Sequence, residues 1–309
     1  VLELSNSVLP DGYTDTAVAI GKFDGIHLGH QQLFRELVHF SEEAGLAAAV
    51  LTFDRHPDAF LKPGTEPSAI IGPIQKARIL ESLGADALIT LRFDQQLANL
   101  SPEQFVVKHL MPIRAKLVLV GQGFRFGHKG AGGIIELRQL GERFGFKAKE
   151  IPTVVFGDLP VSSTEIRKAI AAGNIKAANT MLGRNHQTEG MVEHGRKIGR
   201  KIGFPTANLA RNSEGLLPVD GVYAGWLYAD GIRYPAAHSV GTNDSIEAVP
   251  RLLESHVIGR DDLELYDKIV TCEYVEQVRP WAKYESMEKL IEQIGSDVEA
   301  CRRVLGGRV

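Results

Sequence analysis

Over its first half the chain alternates short apolar runs with longer amphipathic ones. Residues 17–20, 47–53, 87–91, 117–120 and 147–151 have strand length, and most are rich in apolar or β-branched residues. Between them, 30–44, 74–83, 102–110 and 134–144 carry apolar residues at helical spacing; in the first of these, Leu33, Phe34, Leu37 and Val38 share one face. This β/α alternation predicts a mostly parallel, Rossmann-like α/β sheet covered on both faces, with ligands at the carboxyl ends of its strands. Two more helices are predicted at 164–172 and 175–182, broken at Gly173-Asn174.

Around 183–187 the pattern changes. Strand-like runs at 222–228, 236–240, 252–258 and 269–274 are separated by turn signals such as Pro218-Val219-Asp220-Gly221 and Ala229-Asp230-Gly231. Short strands with regular turns predict a small antiparallel β-barrel. A C-terminal helix closes the chain: Met287, Leu290, Ile291, Ile294, Val298, Cys301 and Leu305 share one face and read as core. The expected domains are 1–184 and 185–309.

Composition narrows the function classes. With 309 residues, 44% hydrophobic and 24% charged, the chain has room for two soluble domains. A net charge of −3 gives no global attraction to nucleic acid or anionic membrane, so any anion site is local. No run reaches the length of a membrane span and none resembles a signal peptide, so the expected compartment is cytoplasmic. The two cysteines, Cys272 and Cys301, form no metal-like pair, and Cys301 reads as a buried thiol.

The most informative segment is Gly21-Lys-Phe-Asp-Gly-Ile-His-Leu-Gly-His30, directly after the first predicted strand. Gly21, Phe23, Asp24, Gly25 and Gly29 surround His27 and His30 where strand hands over to helix. Such a terminus has unpaired N–H groups and a partial positive charge, imidazoles add donors, and together they suit phosphate. Glycines at a strand–helix turn also have a purely steric reading, but the fixed spacing favours nucleotide chemistry without a lysine P-loop.

Three further segments flank it. Val161-Ser-Ser-Thr-Glu-Ile-Arg167 opens a helix that Ser163 or Thr164 is expected to cap, with Arg167 one turn in; alone it reads as a capped helix, beside the histidines as a phosphate clamp. Thr52-Phe-Asp-Arg-His-Pro57 ends the second strand, where Phe53 and His56 are candidates for a flat ring. Gly121-Gln-Gly-Phe-Arg-Phe-Gly127 ends the fourth; Phe124 and Phe126 either stack on such a ring or fill core.

In the second half, Gly195, Gly199 and Gly203 recur every fourth residue with basic residues between, then lead into Phe204-Pro205-Thr206-Ala207-Asn208. This suits a flap over phosphates rather than a plain basic hairpin, and Thr206 and Asn208 are oxygen ligands that a nucleotide-bound Mg²⁺ accepts. Glu254 alternates away from apolar neighbours in 252–258 and is the candidate general base for a hydroxyl nucleophile.

Together these residues closely resemble the bacterial bifunctional riboflavin kinase/FAD synthetase family over nearly the whole chain. The specific pieces are 21–30, 162–167 with Leu182-Gly-Arg184, 203–208 and Asp220-Gly-Val-Tyr-Ala224. The resemblance implies an N-terminal FMN adenylyltransferase of the nucleotidyltransferase type and a C-terminal six-stranded riboflavin kinase barrel. It implies ATP as co-substrate, riboflavin, FMN and FAD as substrates and products, and Mg²⁺. His27 and His30 would serve the adenylyl transition state; Ser163, Thr164 and Arg167 would hold phosphates; Thr206 and Asn208 would position Mg-ATP; Glu254 would take the hydroxyl proton. Expected partners are small molecules, with neither nucleic acid nor membrane, and a monomer or weak homo-oligomer.

The chain departs from the family pattern at three places. Arg55 stands where the family usually has Pro, Gly123 where it has Asp or Asn, and Asn243-Asp-Ser-Ile246 where it has Asn-Pro-Thr-Phe. The alternatives are therefore a riboflavin kinase with an impaired adenylyltransferase domain, another adenylyltransferase of the His-x-Gly-His type, and a non-catalytic flavin-binding regulator. The second half argues against the other adenylyltransferase, and intact His27, His30, Thr206, Asn208 and Glu254 argue against the regulator.

Overall fold

The predicted apolar runs and a short N-terminal segment become one six-stranded sheet in the computed structural model. It describes residues 1–55, 60, 64, 67–157, 159–195, 198–241 and 251–306. The strands are β1 (Leu2–Leu4), β2 (Thr16–Ile20), β3 (Ala47–Phe53), β4 (Ala87–Leu91), β5 (Ala115–Gly121) and β6 (Lys147–Ile151), in the order β1-β4-β3-β2-β5-β6. Every neighbouring pair is parallel. All of β2 and all but the last residue of β3 are buried, because helices cover both faces of such a sheet. Helices α1 (Leu28–Ala44), α2 (Pro73–Ser82) and α3 (Ile134–Phe144) connect the strands, α1 burying Leu33, Phe34 and Leu37.

Chain order reverses between β2 and β5: β3 and β4 lie to one side of the pair and β6 to the other. Such a reversal opens a crevice at the carboxyl ends of the two strands. The loops leaving β2 and β5 are the histidine segment and 121–127. One predicted helix differs: 102–110 is α-helical over Pro102–Phe105 and widens to a π-helix over Val106–Leu110, where Met111 N–H donates to the Val106 carbonyl at 3.0 Å. A short hairpin, β7 (Val155–Phe156) with β8 (Leu159–Pro160), follows.

By contacts the chain divides into two units, Val1–Ser68 with Pro73–Val161, and Ala69–Gly72 with Ser162–Val309. Helices α4 (Ser163–Ala171) and α5 (Ile175–Leu182) thus group with the second unit. On α5, Asn179 Nδ2 donates to the Tyr274 carbonyl at 2.9 Å, and its Oδ1 accepts from His186 N–H at 2.8 Å.

The second unit is a closed antiparallel barrel of β9 (His186–Glu193), β10 (Ala207–Leu209), β11 (Gly221–Ala229), β12 (Ile232–Gly241), β13 (Leu252–Val257) and β14 (Ile269–Pro280). Leu209, Tyr223, Leu227, Val240, Leu253 and Tyr274 belong to its core. Polar residues are buried in it too, paired with one another: His238 Nδ1 lies 2.9 Å from Ser255 Oγ, and Tyr274 OH donates to Thr188 Oγ1 at 3.0 Å. Helix α6 (Met287–Val304) packs Val298 and Cys301 against Ala224 and Ile258. Its buried Asp297 accepts from Arg279 Nε at 2.9 Å and Arg279 Nη2 at 2.8 Å, tying the helix to β14.

Candidate active sites

Strand β2 ends at Ile20, and the next peptide stays registered to β3 through Gly21 N–H donating to the Leu51 carbonyl at 3.1 Å. The chain then turns sharply. Phe23 and Ile26 adopt positive φ of 50° and 40°, conformations costly for a bulky or β-branched side chain. The turn survives because its surroundings fix it. Thr52 Oγ1 and Lys76 Nζ both donate to the Lys22 carbonyl at 3.1 Å, and Gln31 Nε2 donates to the Ile26 carbonyl at 2.9 Å. Phe23, 2% exposed, packs against Phe34 with ring centroids 4.8 Å apart.

His27 is the N-cap residue of α1, with φ −73° and ψ 174°. Its carbonyl accepts the first helical bond, from Gln31 N–H at 2.9 Å. One turn on, the His30 ring stacks on the His27 ring with centroids 3.7 Å apart and planes 20° apart, while Phe23 meets His30 edge-on at 5.3 Å. Burial, then the charges of His27 and Lys76, hold the His30 imidazole well below its ordinary pKa. Two imidazoles thus meet at a helix N-terminus beside the sheet's switch point, where unpaired N–H groups and the helix dipole favour anions.

Lys76, which the sequence did not single out, also reaches this turn. It sits in the first turn of α2, where a lysine on an amphipathic helix reads as solvated. Burial instead lowers its pKa, opposed by Asp24.

The neighbouring loops hold the aromatic candidates. Phe53 meets Phe93 edge-on at 5.6 Å, and Asp54 Oδ1 accepts from Phe93 N–H at 2.8 Å. His56 lies outside the described residues. Phe124 and Phe126 stack in parallel at 5.6 Å; Phe126 is 7% exposed and part of the sheet's core, whereas Phe124 is half-buried at its margin. Between them and β5, Gly123 takes φ +75° and its N–H donates to Glu150 Oε1 at 3.0 Å.

In the second unit, α4 starts one residue earlier than expected. Ser162, in extended conformation, is the N-cap and accepts from Glu165 N–H at 3.3 Å; Ser163 and Thr164 are therefore first-turn residues rather than the cap. The cap must stay non-helical while its oxygen reaches three residues on, and Ser162 is the one placed to do so. Arg167 follows one turn into α4.

Thr206, Asn208 and Glu254 come together on the barrel. Asn208 on β10 pairs in register with Glu254 on β13, so both project from the same side. On β13, Leu253, Ser255 and Val257 turn inward, leaving Glu254 half-buried on the outer face as the alternation requires. There Glu254, Asn208 and Thr206 line a cleft of about 570 Å³, together with Gly199, Arg279 and Trp281. A smaller hollow of about 50 Å³ shares Gly199, Thr206 and Asn208, and adds Pro205 and Arg260. Burial raises the Glu254 carboxyl above its ordinary pKa. Gly203 lies in the turn before β10 with φ +87°; residues 196–197 of the glycine-repeat segment and the 243–246 departure lie outside the described residues. Among the described residues, no cluster of three or more His, Cys, Asp or Glu could hold a metal ion. Oxygen donors such as Thr206 Oγ1 and Asn208 Oδ1 instead fit a hard cation brought in on a nucleotide.

Comparison with known proteins covers both halves. A family model described as FAD synthetase matches residues 10–165, and one described as riboflavin kinase matches 182–305. The bifunctional riboflavin kinase/FMN adenylyltransferase of Listeria monocytogenes is 33% identical over 302 residues, 97% of this chain and 96% of that one. The protein of the same description from Escherichia coli K12 is 31% identical over 294 residues, 94% and 92% of the two chains. A crystal structure described as a macrolide-efflux protein from Streptococcus pneumoniae superposes with a TM-score of 0.87 at 30% identity, over 97% of this chain and 98% of that one. No helix among the described residues is long and apolar enough to cross a membrane.

Proposed function

The chain belongs to the bifunctional riboflavin kinase/FMN adenylyltransferase family, and from that premise we propose how its residues divide the two reactions. The second half phosphorylates riboflavin to FMN, and the first half adenylylates FMN to FAD. The stacked His27–His30 pair at the start of α1 carries the residue assignment of the first half.

In adenylyl transfer a phosphate oxygen of FMN attacks the α-phosphorus of ATP. The bond from that phosphorus to the bridging oxygen breaks, and its electron pair leaves with pyrophosphate. FMN already supplies the nucleophile, so the protein aligns the reactants and stabilises charge. His27 and His30 do this from the α1 terminus, with Gly21, Phe23, Asp24, Gly25 and Gly29 shaping the turn. Ser163, Thr164 and Arg167 offer hydroxyls, a helix N-terminus and a guanidinium to phosphate. Of the aromatic candidates, Phe53 and the half-buried Phe124 suit a flavin ring better than the core residue Phe126.

In the kinase, Glu254 accepts the proton of the ribityl 5′-hydroxyl as its oxygen attacks the γ-phosphorus of ATP, and ADP leaves. The raised pKa makes this carboxylate a stronger base than an exposed one. Thr206 and Asn208 are the residues that would hold Mg²⁺, which neutralises phosphate charge when bound. Gly199, Gly203 and Pro205 border the nucleotide side of the cleft. The setting we propose is cytoplasmic: a monomer or weakly associating enzyme acting on small molecules.

The test is chromatographic separation of flavins after incubating the protein with riboflavin, ATP and Mg²⁺. FMN should rise first and FAD follow, with His27→Ala removing FAD alone and Glu254→Gln removing FMN formation. FMN without FAD, even when FMN is the supplied substrate, would overturn the reading of the first half. Absence of FMN would overturn that of the second.

A further inference from the structure

We propose that Lys76 binds the pyrophosphate leaving group of the adenylyl transfer reaction. The inference rests on the reading of the histidine site given above. Lys76 Nζ donates to the Lys22 carbonyl at 3.1 Å, inside the turn that ends at His27. An ammonium has three donors, and among the described residues the structure records this one hydrogen bond for it. The charge also acts directly on His30, so lysine and imidazole belong to one electrostatic neighbourhood.

Two costs count against a purely structural role for the cation. The first turn of a helix carries partial positive charge, and that of α2 contains no acidic residue, so Lys76 stands at the unfavourable end of its helix. Burial adds a second penalty, which Asp24 opposes. A bracing role for the Lys22 carbonyl needs only a neutral donor, and Thr52 Oγ1 already supplies one.

A cation held at such a cost is useful where negative charge develops during the reaction. As the bond between the α-phosphorus and the bridging oxygen breaks, its electron pair settles on the pyrophosphate, which then carries more charge than any other group at the site. A fixed ammonium is worth more against that developing charge than against the ground-state triphosphate.

The experiment compares the full-length chain with its Lys76→Met and Lys76→Arg variants. FAD formation from FMN and ATP is measured against increasing inorganic pyrophosphate, and FMN formation from riboflavin by the same preparations reports folding of the chain. Lys76→Met should raise the inhibition constant of pyrophosphate about tenfold or more, the loss expected for one hydrogen bond to a charged group. Its kcat for FAD formation should fall as well, and Lys76→Arg should restore most of the pyrophosphate affinity. If Lys76→Met is inhibited at wild-type pyrophosphate concentrations while only its melting temperature drops, the lysine is a structural brace and the proposal fails. A wild-type chain that forms no FAD would overturn the reading of the whole site, the lysine included. FAD formation with unchanged inhibition overturns the lysine alone.

Discussion

Substituting Gly21 by alanine tests whether the turn truly fixes the histidines. A Cβ placed on Gly21 would stand 2.7 Å from Phe23 Cε1 and 2.8 Å from Cζ. Carbon atoms pack at roughly 3.5 Å or more, so ring or strand must give way by about 0.8 Å, the difference between 3.5 and 2.7 Å. Neither yields easily. Gly21 is hydrogen-bonded to β3, and the Phe23 ring is 2% exposed between Phe34 and His30. Overpacking of this kind costs about 1–3 kcal/mol. The displaced ring presses on His30, and a misplacement near 1 Å at a reacting centre is worth up to about a hundredfold in rate. The assay is kcat/KM for FAD formation from FMN and ATP, with FMN formation from riboflavin as an internal standard. We expect the first to fall about ten- to a hundredfold and the second to hold. The added strain should be smaller when Gly21→Ala is combined with Phe23→Leu, since the two sites are in contact. Wild-type FAD formation in the single variant would refute the argument that Phe23 transmits backbone position to the imidazoles.

Three further outcomes are expected. Glu254 must be ionised to accept a proton and its pKa is raised by burial, so FMN formation is lost as pH falls through that raised value. The acid limb of kcat/KM should therefore lie above the ordinary carboxylate range and vanish in the residual activity of Glu254→Gln; a limb at or below that range refutes the assignment. Asp297→Ala strands the Arg279 guanidinium, whose side chain is 21% exposed; the loss should be about 2–3 kcal/mol, below the 3–5 of a fully buried pair, read by denaturant unfolding. An unchanged unfolding midpoint would show that the pair adds nothing. Gly123→Asn should fold with a change within about 1 kcal/mol, because asparagine tolerates the left-handed φ and nothing lies within 4 Å of the added Cβ. It should lower KM for FMN or ATP in FAD formation, and an unchanged KM would mean that a polar group there is not used.

The sheet and its helices were legible because a doubly covered sheet writes its strands as continuous apolar runs. The barrel was legible only in part. Strand β9 reads His-Gln-Thr-Glu-Gly-Met-Val-Glu, and its buried positions include His186 and Thr188. Polar groups that pair inside the barrel erase the hydrophobic alternation by which a strand is recognised. Strands β1 and β10 are three residues each, too short to show a period. Glu254 could be found because its strand does alternate. Lys76 could not, since what brings it beside the histidine turn is a contact with a carbonyl more than fifty positions away in sequence. The cap of α4 was displaced by one residue because Ser162, Ser163 and Thr164 are chemically equivalent until backbone geometry selects among them.

The two units end their strands differently, and this bears on self-association. An unpaired strand edge is a row of open N–H and C=O groups onto which another chain can add. The barrel closes on itself and offers none. The sheet has two edges, but β1 is only three residues long and β6 carries exposed Lys147 and Lys149. Lys149 is held there by Glu36 at 3.1 Å and by the face of Phe40. The barrel and the six-stranded sheet are therefore poor templates for strand addition. Strand addition is then a hazard of chains whose barrel has not yet closed or whose sheet has not yet formed, rather than of these native edges.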